Sequence, residues 1–203
     1  IQVVKNQEYW DAEFVHLRKI DISIIENSAT ALEMYEKGEL DWIGEPLSEI
    51  PQELLKKKKM SDKIFSHPIS AVHWYDFNVK MAPFQSKKIR RSLAIALNRQ
   101  QILDELLHGG EVPAYAILPP NLSLSNQAHF QDGNIELARK LFIEGLDEIK
   151  MAPHEIPRLT ITCYDQELDE AMAKAVSRQW KEVLGLEISV KTLKWEQFLD
   201  KCL

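Results

Sequence analysis

The sequence predicts an α/β fold in which a mixed sheet is flanked by helices. Three observations favour this fold class. Strands with alternating apolar and polar residues occur near both ends of the chain, at Ile20–Ile24 and Leu159–Cys163. Each is followed by a segment with helical spacing, and a glycine ends each of those segments. The chain has 203 residues and is 45% hydrophobic, which is enough for one large domain or two small ones.

The first part of the chain predicts a strand-helix-strand unit. Ile1–Val4 is an opening strand, and Ile20–Ile24 has the period of a half-buried strand. A helix capped by Ser28 and stopped by Gly38 follows, and Leu40–Ile43 is a second short strand. Two strands joined by one helix in this way are expected to be parallel.

The middle of the chain predicts an aromatic strand and a pair of helices. The strand covers Trp74–Val79, and the helices cover Lys87–Leu97 and Arg99–Leu107, with Asn98 as the cap of the second. Prolines and a lack of periodicity predict an extended loop over Glu111–Gly133.

The last part of the chain predicts a second strand-helix-strand unit. Before it, a helix begins after Asn134 and is predicted to stop at Gly145. Leu159–Cys163 is then a strand, Glu167–Leu184 a helix ended by the next glycine, and Leu186–Val190 another strand. These two strands are also predicted to be parallel.

We place the domain boundary where a charged segment gives way to the aromatic strand, so the predicted domains are 1–69 and 70–203. The basic run Lys56–Lys59 follows Pro51–Leu55 and is predicted to be the solvated last turn of a short helix. Cys163 is predicted to be a buried free thiol, and Arg90 and Arg91 are predicted to face outward. The other tryptophans are predicted to be core or domain-contact residues: Trp10, Trp42, Trp180 and Trp195.

The composition excludes several classes of function. A net charge of -6 gives no basic surface for nucleic acid. With 7 glycines, the chain lacks the glycine-rich phosphate loops and the nucleophile-elbow pattern. The 6 histidines and 2 cysteines lack metal-site spacing, so we predict no metal and no cofactor. No local catalytic marker is present, and we predict that the protein is not an enzyme.

The aromatic strand has two different faces. His73, Tyr75 and Phe77 alternate with Trp74, Asp76 and Asn78, so the first three side chains can enter a core while the other three form a polar face with one aromatic plate. Residue types alone favour a strand whose polar face meets solvent. They also leave open that Asn78 serves the turn before Pro83.

Several segments, taken in order, resemble one family, the peptide-binding extracytoplasmic proteins of ABC importers. The aromatic strand ending in Phe-Asn, the Pro-Phe pair and the following Ile-Arg-Arg-Ser-Leu helix are similar to its signature, although Asn98-Arg99 stands where Asp-Arg is usual. The other matching segments are Asn6–Asp11, Ala31–Asp41, Gly109–Pro120, Glu136–Gly145 and Gln179–Leu199.

This resemblance implies a periplasmic-binding-protein-like lobe and a two-lobed protein that closes on a peptide and passes it to a membrane permease. The ligand-binding residues that it implies are His73, Trp74, Asp76 and Asn78. Family members are longer, so we expect this chain to be an internal fragment with an incomplete cleft and exposed apolar surface that favours self-association. The implied location is periplasmic or at the cell envelope, with lipid anchoring left open.

Two alternatives stay open at this stage. The same fold can bind nickel chelate, haem or another small solute in place of a peptide. A protein of another class, a small hydrolase whose triad is assembled from distant residues, is the second alternative.

Overall fold

The computed structural model divides the chain into two compact units, Ile1–Phe65 and Ser66–Leu203. The described residues are 1–45, 50, 64–65, 69–119, 122 and 132–202. The helix predicted over Pro51–Leu55 and the lysine run after it lie outside these residues. Within them, no helix is both long and apolar enough to cross a membrane.

The first unit contains a two-stranded antiparallel sheet. Strands β1 (Gln2–Val4) and β2 (Lys19–Asp21) pair with Gln2 opposite Asp21. All strand residues are exposed, so backbone pairing and polar side chains hold this sheet together. The carboxylate of Asp21 accepts a hydrogen bond from Gln2 and pairs with Lys19 at 2.7 Å. The hydrogen bond from Lys19, and then that from Gln2, lower the pKa of Asp21.

Helix α1 (Ser28–Glu36) confirms the predicted helix but not its cap. Asn27 is the cap, because its Oδ1 accepts a hydrogen bond from the Thr30 amide at 3.0 Å. Gly38 follows the helix with φ at 78°, a left-handed conformation that favours glycine.

The predicted first strand-helix-strand unit is wrong. Leu40–Ile43 forms no strand, and β2 pairs with β1 instead. The strand that contains the alternating isoleucines pairs with an antiparallel strand close by in the sequence. Antiparallel strands need no helical crossover between them.

The second unit begins with helices α2 (Lys87–Ala96), α3 (Arg99–Leu106) and α4 (Ile135–Glu148). The first two confirm the predictions to within a residue, and Asn98 caps α3 by accepting from the Gln101 amide at 3.0 Å. Arg90 is only half-exposed and donates to the carbonyl groups of Phe84 and Gln85, so its predicted outward position is wrong.

Gly145 lies inside α4, so the prediction that it stops this helix is wrong. A Cβ atom at this position would stand 2.6 Å from Ile89 Cγ1 and 3.0 Å from both the Ile89 nitrogen and Ser86 Oγ. Glycine is therefore needed for close packing of α2 on α4 and not for a turn.

The corner between α2 and α3 is held by two consecutive residues of the later helix α5 (Glu167–Leu184). Gln179 accepts a hydrogen bond from the Asn98 amide at 2.8 Å and donates to the Asn98 carbonyl at 3.2 Å. Trp180 donates from Nε1 to the Leu93 carbonyl at 2.8 Å. The buried backbone groups at this corner are thus paired by side chains from a distant helix.

The second strand-helix-strand unit confirms its prediction. β3 (Leu159–Tyr164), α5 (Glu167–Leu184) and β4 (Ile188–Leu193) follow in order, and the strands are parallel from Leu159–Ile188 to Tyr164–Leu193. Gly185 ends α5 in a left-handed conformation. Helix α6 (Trp195–Cys202) follows β4.

The main apolar core lies in the second unit. It combines buried residues of α2 and α4 with those of β3 and α5, including Ile89, Leu93, Phe142 and Val176. Cys163 is buried, as predicted. Among the tryptophans predicted to be in a core or contact, Trp180 is buried, whereas Trp10, Trp42 and Trp195 are exposed in this chain.

Candidate functional site

The segment that carries the predicted ligand-binding residues is extended but is not a strand. Residues 71–78 pair with no other strand in the described part of the chain, so the predicted strand over Trp74–Val79 is wrong. Aromatic residues favour an extended backbone, but a strand also requires a partner with matching register. Side-chain contacts hold this segment in the second unit.

One face of the segment packs on the core. The rings of Tyr75 and Phe77 lie 6.4 Å and 6.3 Å from the Trp180 ring, and Phe77 also contacts Phe84 at 5.1 Å. The Tyr75 hydroxyl is buried and has no hydrogen-bond partner among the residues that the structure describes. Burial raises the pKa of Tyr75 above its usual range, and Cys163 and Asp169 raise it further, so the hydroxyl stays neutral.

The other face is exposed and combines an aromatic ring with an acid. Trp74 is 57% exposed, and its Nε1 donates to Asp76 Oδ2 at 3.2 Å. This hydrogen bond fixes the indole beside the carboxylate. A planar ring next to a negative charge can contact apolar groups and cations.

Asn78 stabilises the turn that follows by two hydrogen bonds. Its Oδ1 accepts from the Lys80 amide at 3.1 Å, and its backbone carbonyl accepts from the Met81 amide at 3.0 Å. The carboxamide oxygen therefore serves the turn, which is one of the two readings that the sequence leaves open. The role of Asn78 in ligand binding stays a prediction.

His73 lies at the start of the segment and contacts α5. Its ring meets Tyr75 edge-on at 5.4 Å, and its Nδ1 lies 3.8 Å from Asp169 Oδ1 in the first turn of that helix. The imidazole is half-exposed, and Asp169 is the more buried partner.

Sequence reasoning missed an aromatic group at the carboxyl ends of the parallel strands. Tyr164 ends β3 and lies edge-on to Trp195 at 5.3 Å, and Trp195 stacks on Phe198 at 6.2 Å. Trp195 is exposed in this chain, so it is not a core residue here, and the alternative prediction of a domain contact stays a prediction. The signal was present in the sequence, because ligand sites of parallel sheets lie beyond the carboxyl ends of their strands.

Asp169 was also missed, and it is one of three acidic residues whose charges act on the Cys163 thiol. Burial raises the pKa of the Cys163 thiol, and the charges of Asp169, Glu170 and Asp165 raise it further. This thiol is therefore protonated at neutral pH, which makes it a poor nucleophile. Among the residues that the structure describes, no cluster of three His, Cys, Asp or Glu side chains is placed to hold a metal ion.

An α/β unit with an exposed aromatic face is compatible with a lobe of a solute-binding protein. The chain belongs to the bacterial extracellular solute-binding proteins, family 5 Middle, whose family model matches residues 1–202. A solved periplasmic oligopeptide-binding protein from Borrelia burgdorferi has the same fold, with a TM-score of 0.72 and 24% identity over 98% of this chain and 39% of its own.

Two curated relatives carry different solutes in their names. The oligopeptide-binding protein OppA of Bacillus subtilis is 32% identical over 99% of this chain and 38% of its own length. The probable deoxycholate-binding periplasmic protein YgiS of Escherichia coli is 28% identical over 97% of this chain and 36% of its own length. The chain thus spans less than two fifths of either relative.

Proposed function

We propose that this chain belongs to an extracytoplasmic protein that binds peptides and delivers them to the permease of an ABC importer. Family membership and the name of the Bacillus subtilis relative support this proposal. The observation that carries it is the extended segment 71–78, which lacks a strand partner among the described residues and exposes Trp74 beside Asp76.

The extended segment suits a peptide because peptides are often recognised as an added strand. A ligand lying along residues 71–78 can pair with main-chain groups that no described ladder uses. Trp74 and Asp76 then contact ligand side chains, and His73 and Asn78 flank them. Main-chain recognition of this kind accepts many sequences.

In the same proposal, residues 1–69 and 70–203 belong to different lobes, and the protein is not an enzyme. The protonated Cys163 thiol supports the second point, since it removes one nucleophile from consideration. The hydrolase alternative needs another nucleophile beside a histidine. A screen with covalent activity-based probes tests for one, and stable labelling contradicts the proposal.

The proposed location is periplasmic or at the cell envelope, and the family description and the periplasmic relatives support it. Lipid anchoring and self-association of this chain are separate parts of the proposal. Labelling with a radioactive fatty acid in cells tests the first. Sedimentation velocity at several concentrations tests the second, and a concentration-independent monomer contradicts it.

The test of peptide binding uses the full-length protein. Mass spectrometry after gentle purification should find bound peptides, and a peptide library should raise Tm. We expect Trp74→Ala to weaken peptide binding by about tenfold or more, because truncation of a central aromatic contact commonly costs that much. Ile143→Ala removes an exposed apolar side chain of α4 and serves as the control. Equal affinities for both variants contradict the role of Trp74.

A second candidate is binding of a small solute other than a peptide, which the name of the Escherichia coli relative favours. Deoxycholate, haem and a nickel chelate are suitable probes. Competition between one of them and the peptide library, or an absorbance change on adding haem or nickel, distinguishes these cases. Binding of one of these probes, together with no binding of any peptide in the library, supports the second candidate.

A further inference from the structure

Trp74 and Asp76 present a ligand with groups that attract positive charge. Trp74 is 57% exposed, and its indole N–H is already donated to Asp76 Oδ2 at 3.2 Å. The indole therefore offers a ligand its ring face, which carries the negative side of the aromatic quadrupole. An ionised carboxylate only accepts hydrogen bonds, so Asp76 offers acceptor oxygens and a negative charge.

The charge of Asp76 is not paired within the described part of the chain, where no lysine, arginine or histidine forms an ion pair with it. Other exposed acids of the second unit do have such partners. Glu144 pairs with Lys88 at 3.1 Å, and Glu187 pairs with Lys181 at 2.8 Å. The carboxylate of Asp76 can thus pair with a cation that a ligand supplies.

Acidic residues also lie on the helix that contacts this segment. Asp169 Oδ1 lies 3.8 Å from Nδ1 of His73, at the start of the segment. Asp169, Glu167 and Glu170 make the first turn of α5 acidic, and Lys174 pairs with Glu170 at 2.6 Å. The helix therefore adds to the negative charge beside the segment.

The spacing of the two groups suits one long cationic side chain. Trp74 and Asp76 are two residues apart on an extended backbone, so their side chains leave the same face about 7 Å apart. A lysine or arginine side chain laid along this face places its aliphatic stem on the indole and its charge between the ring and the carboxylate. A neutral side chain of the same length gains only the contact of its stem.

We propose that the Trp74–Asp76 face is a subsite for a cationic side chain, so that the protein prefers peptides with lysine or arginine at the position that lies against this face. The inference rests on the proposed function and adds to it a preference at one ligand position. An exposed cation–π contact and an exposed ion pair together correspond to about three- to thirtyfold in affinity.

The first test measures affinity by calorimetry on the full-length protein. The ligands are pentaalanine peptides with a single lysine or a single norleucine at each position in turn, since norleucine has the same stem without the charge. At one position lysine should bind about three- to thirtyfold more tightly than norleucine. Equal affinities at every position overturn this inference, whereas no binding of any peptide in the set contradicts the proposed function.

Three variants show whether the preference comes from this face. Asp76→Asn keeps an oxygen that can accept from the indole and removes the charge, and Trp74→Leu keeps apolar bulk and removes the ring. Each should lower the lysine-to-norleucine ratio several-fold. Asp147→Asn removes the same charge from an exposed acid of α4 and should keep the ratio. A ratio that survives both of the first two variants, or that falls equally in Asp147→Asn, overturns the proposal.

The second test needs no peptide, so it separates failure of this inference from failure of the proposed function. It follows the indole N–H resonance of Trp74 in the full-length protein while N-acetyl-lysine methylamide or N-acetyl-norleucine methylamide is added. The lysine compound should shift this resonance at the lower concentration, and Asp76→Asn should remove the difference. Equal responses to the two compounds mean that the inference is wrong even where peptides bind. If the difference appears while no pentapeptide binds, the cationic subsite stands and the proposed peptide function is at fault.

Discussion

The two compact units of the chain use their apolar residues in opposite ways. In the second unit, helices and parallel strands enclose one continuous core that includes Ile89 and Leu93. In the described part of the first unit, the buried apolar residues are Ala31 and Leu32, and the strands β1 and β2 are exposed throughout. Caps and backbone pairing are thus sufficient to define local elements, but only packing fixes elements against one another.

The first unit exposes many large apolar side chains. A two-stranded sheet is marginal without a covered face, and large apolar patches on a protein surface usually mark contacts. The largest exposures among these residues are Trp10, Ile24, Phe65, Ile1, Val4 and Phe14.

The largest expected effect comes from matched truncations in the two units. Leu93→Ala empties a fully buried position of the main core and should lower the free energy of unfolding by about 3–5 kcal/mol. Leu32→Ala truncates a buried side chain outside that core and should cost about 1–2 kcal/mol, at or below the low end of such substitutions. Urea denaturation measures both, and equal losses would remove the contrast between the units.

A pair of glycine substitutions separates packing from backbone conformation. Gly145→Ala places a methyl group against Ile89 and should cost about 1–3 kcal/mol by overpacking, although alanine is the better helix former. Gly38→Ala meets no atom within 4 Å, and only its left-handed backbone opposes the change, at about 1–2 kcal/mol. A stabilising Gly145→Ala in thermal denaturation would show that α2 and α4 are less closely packed than described.

Two tryptophan substitutions compare a buried hydrogen bond with an exposed one. Trp180→Phe keeps an aromatic ring but leaves the Leu93 carbonyl without its donor, at a cost of about 1–3 kcal/mol. Trp42→Phe removes a 3.3 Å hydrogen bond to the Glu45 carbonyl at an exposed position and should change stability by less than about 0.5 kcal/mol. Guanidinium denaturation of both variants provides the measurement. A loss of stability for Trp42→Phe as large as that for Trp180→Phe would contradict the assignment of the Trp42 hydrogen bond as the weaker, exposed one.

The smallest expected effects come from exposed carboxylates, and they should be alike in both units. The pKa of Asp21 in the first unit and of Glu187 in the second is lowered, in each case first by a hydrogen bond from a lysine. A lowered pKa adds stability above the unfolded-state value of about 4, and this contribution is lost as the pH falls through the folded-state value.

Asp21→Asn and Glu187→Gln should therefore be slightly less stable than the unvaried protein at pH 6 and equal to it near pH 2. Thermal denaturation across this range checks both variants. A marked loss of thermal stability in only one of these two variants would mean that charge, as well as burial, distinguishes the two units.

Sequence patterns predict the second strand-helix-strand unit well because its signals agree with one another. Alternation places β3, a glycine with a left-handed backbone ends α5, and Asn98 and Asn134 cap their helices. The failures share one physical cause. A strand over Trp74–Val79 or Leu40–Ile43 needs a partner, and the role of Gly145 depends on a facing helix, so neither is determined by local sequence.

The candidate site is predictable in part for the same reason. Alternation correctly separates the partly buried Tyr75 and Phe77 from the exposed Trp74 and Asp76, since an extended backbone imposes it locally. It fails for His73, which shares their predicted core-facing side but is exposed. The contact of His73 with Asp169 joins residues far apart in the chain, and no spacing rule connects them. Exposure of Trp10, Trp42 and Trp195 likewise depends on which surfaces lie nearby and not on residue type.

The corner between α2 and α3 has a consequence for synthesis of the chain. The side chains that pair with its backbone come much later in the sequence. Gln179 follows Asn98 by 81 residues, and Trp180 follows Leu93 by 87 residues. A ribosome that adds about 5–20 residues per second exposes this corner for several seconds before those side chains exist. The two helices therefore emerge with unpaired carbonyl groups at their junction, and the second unit can reach its final packing only after α5 has been made.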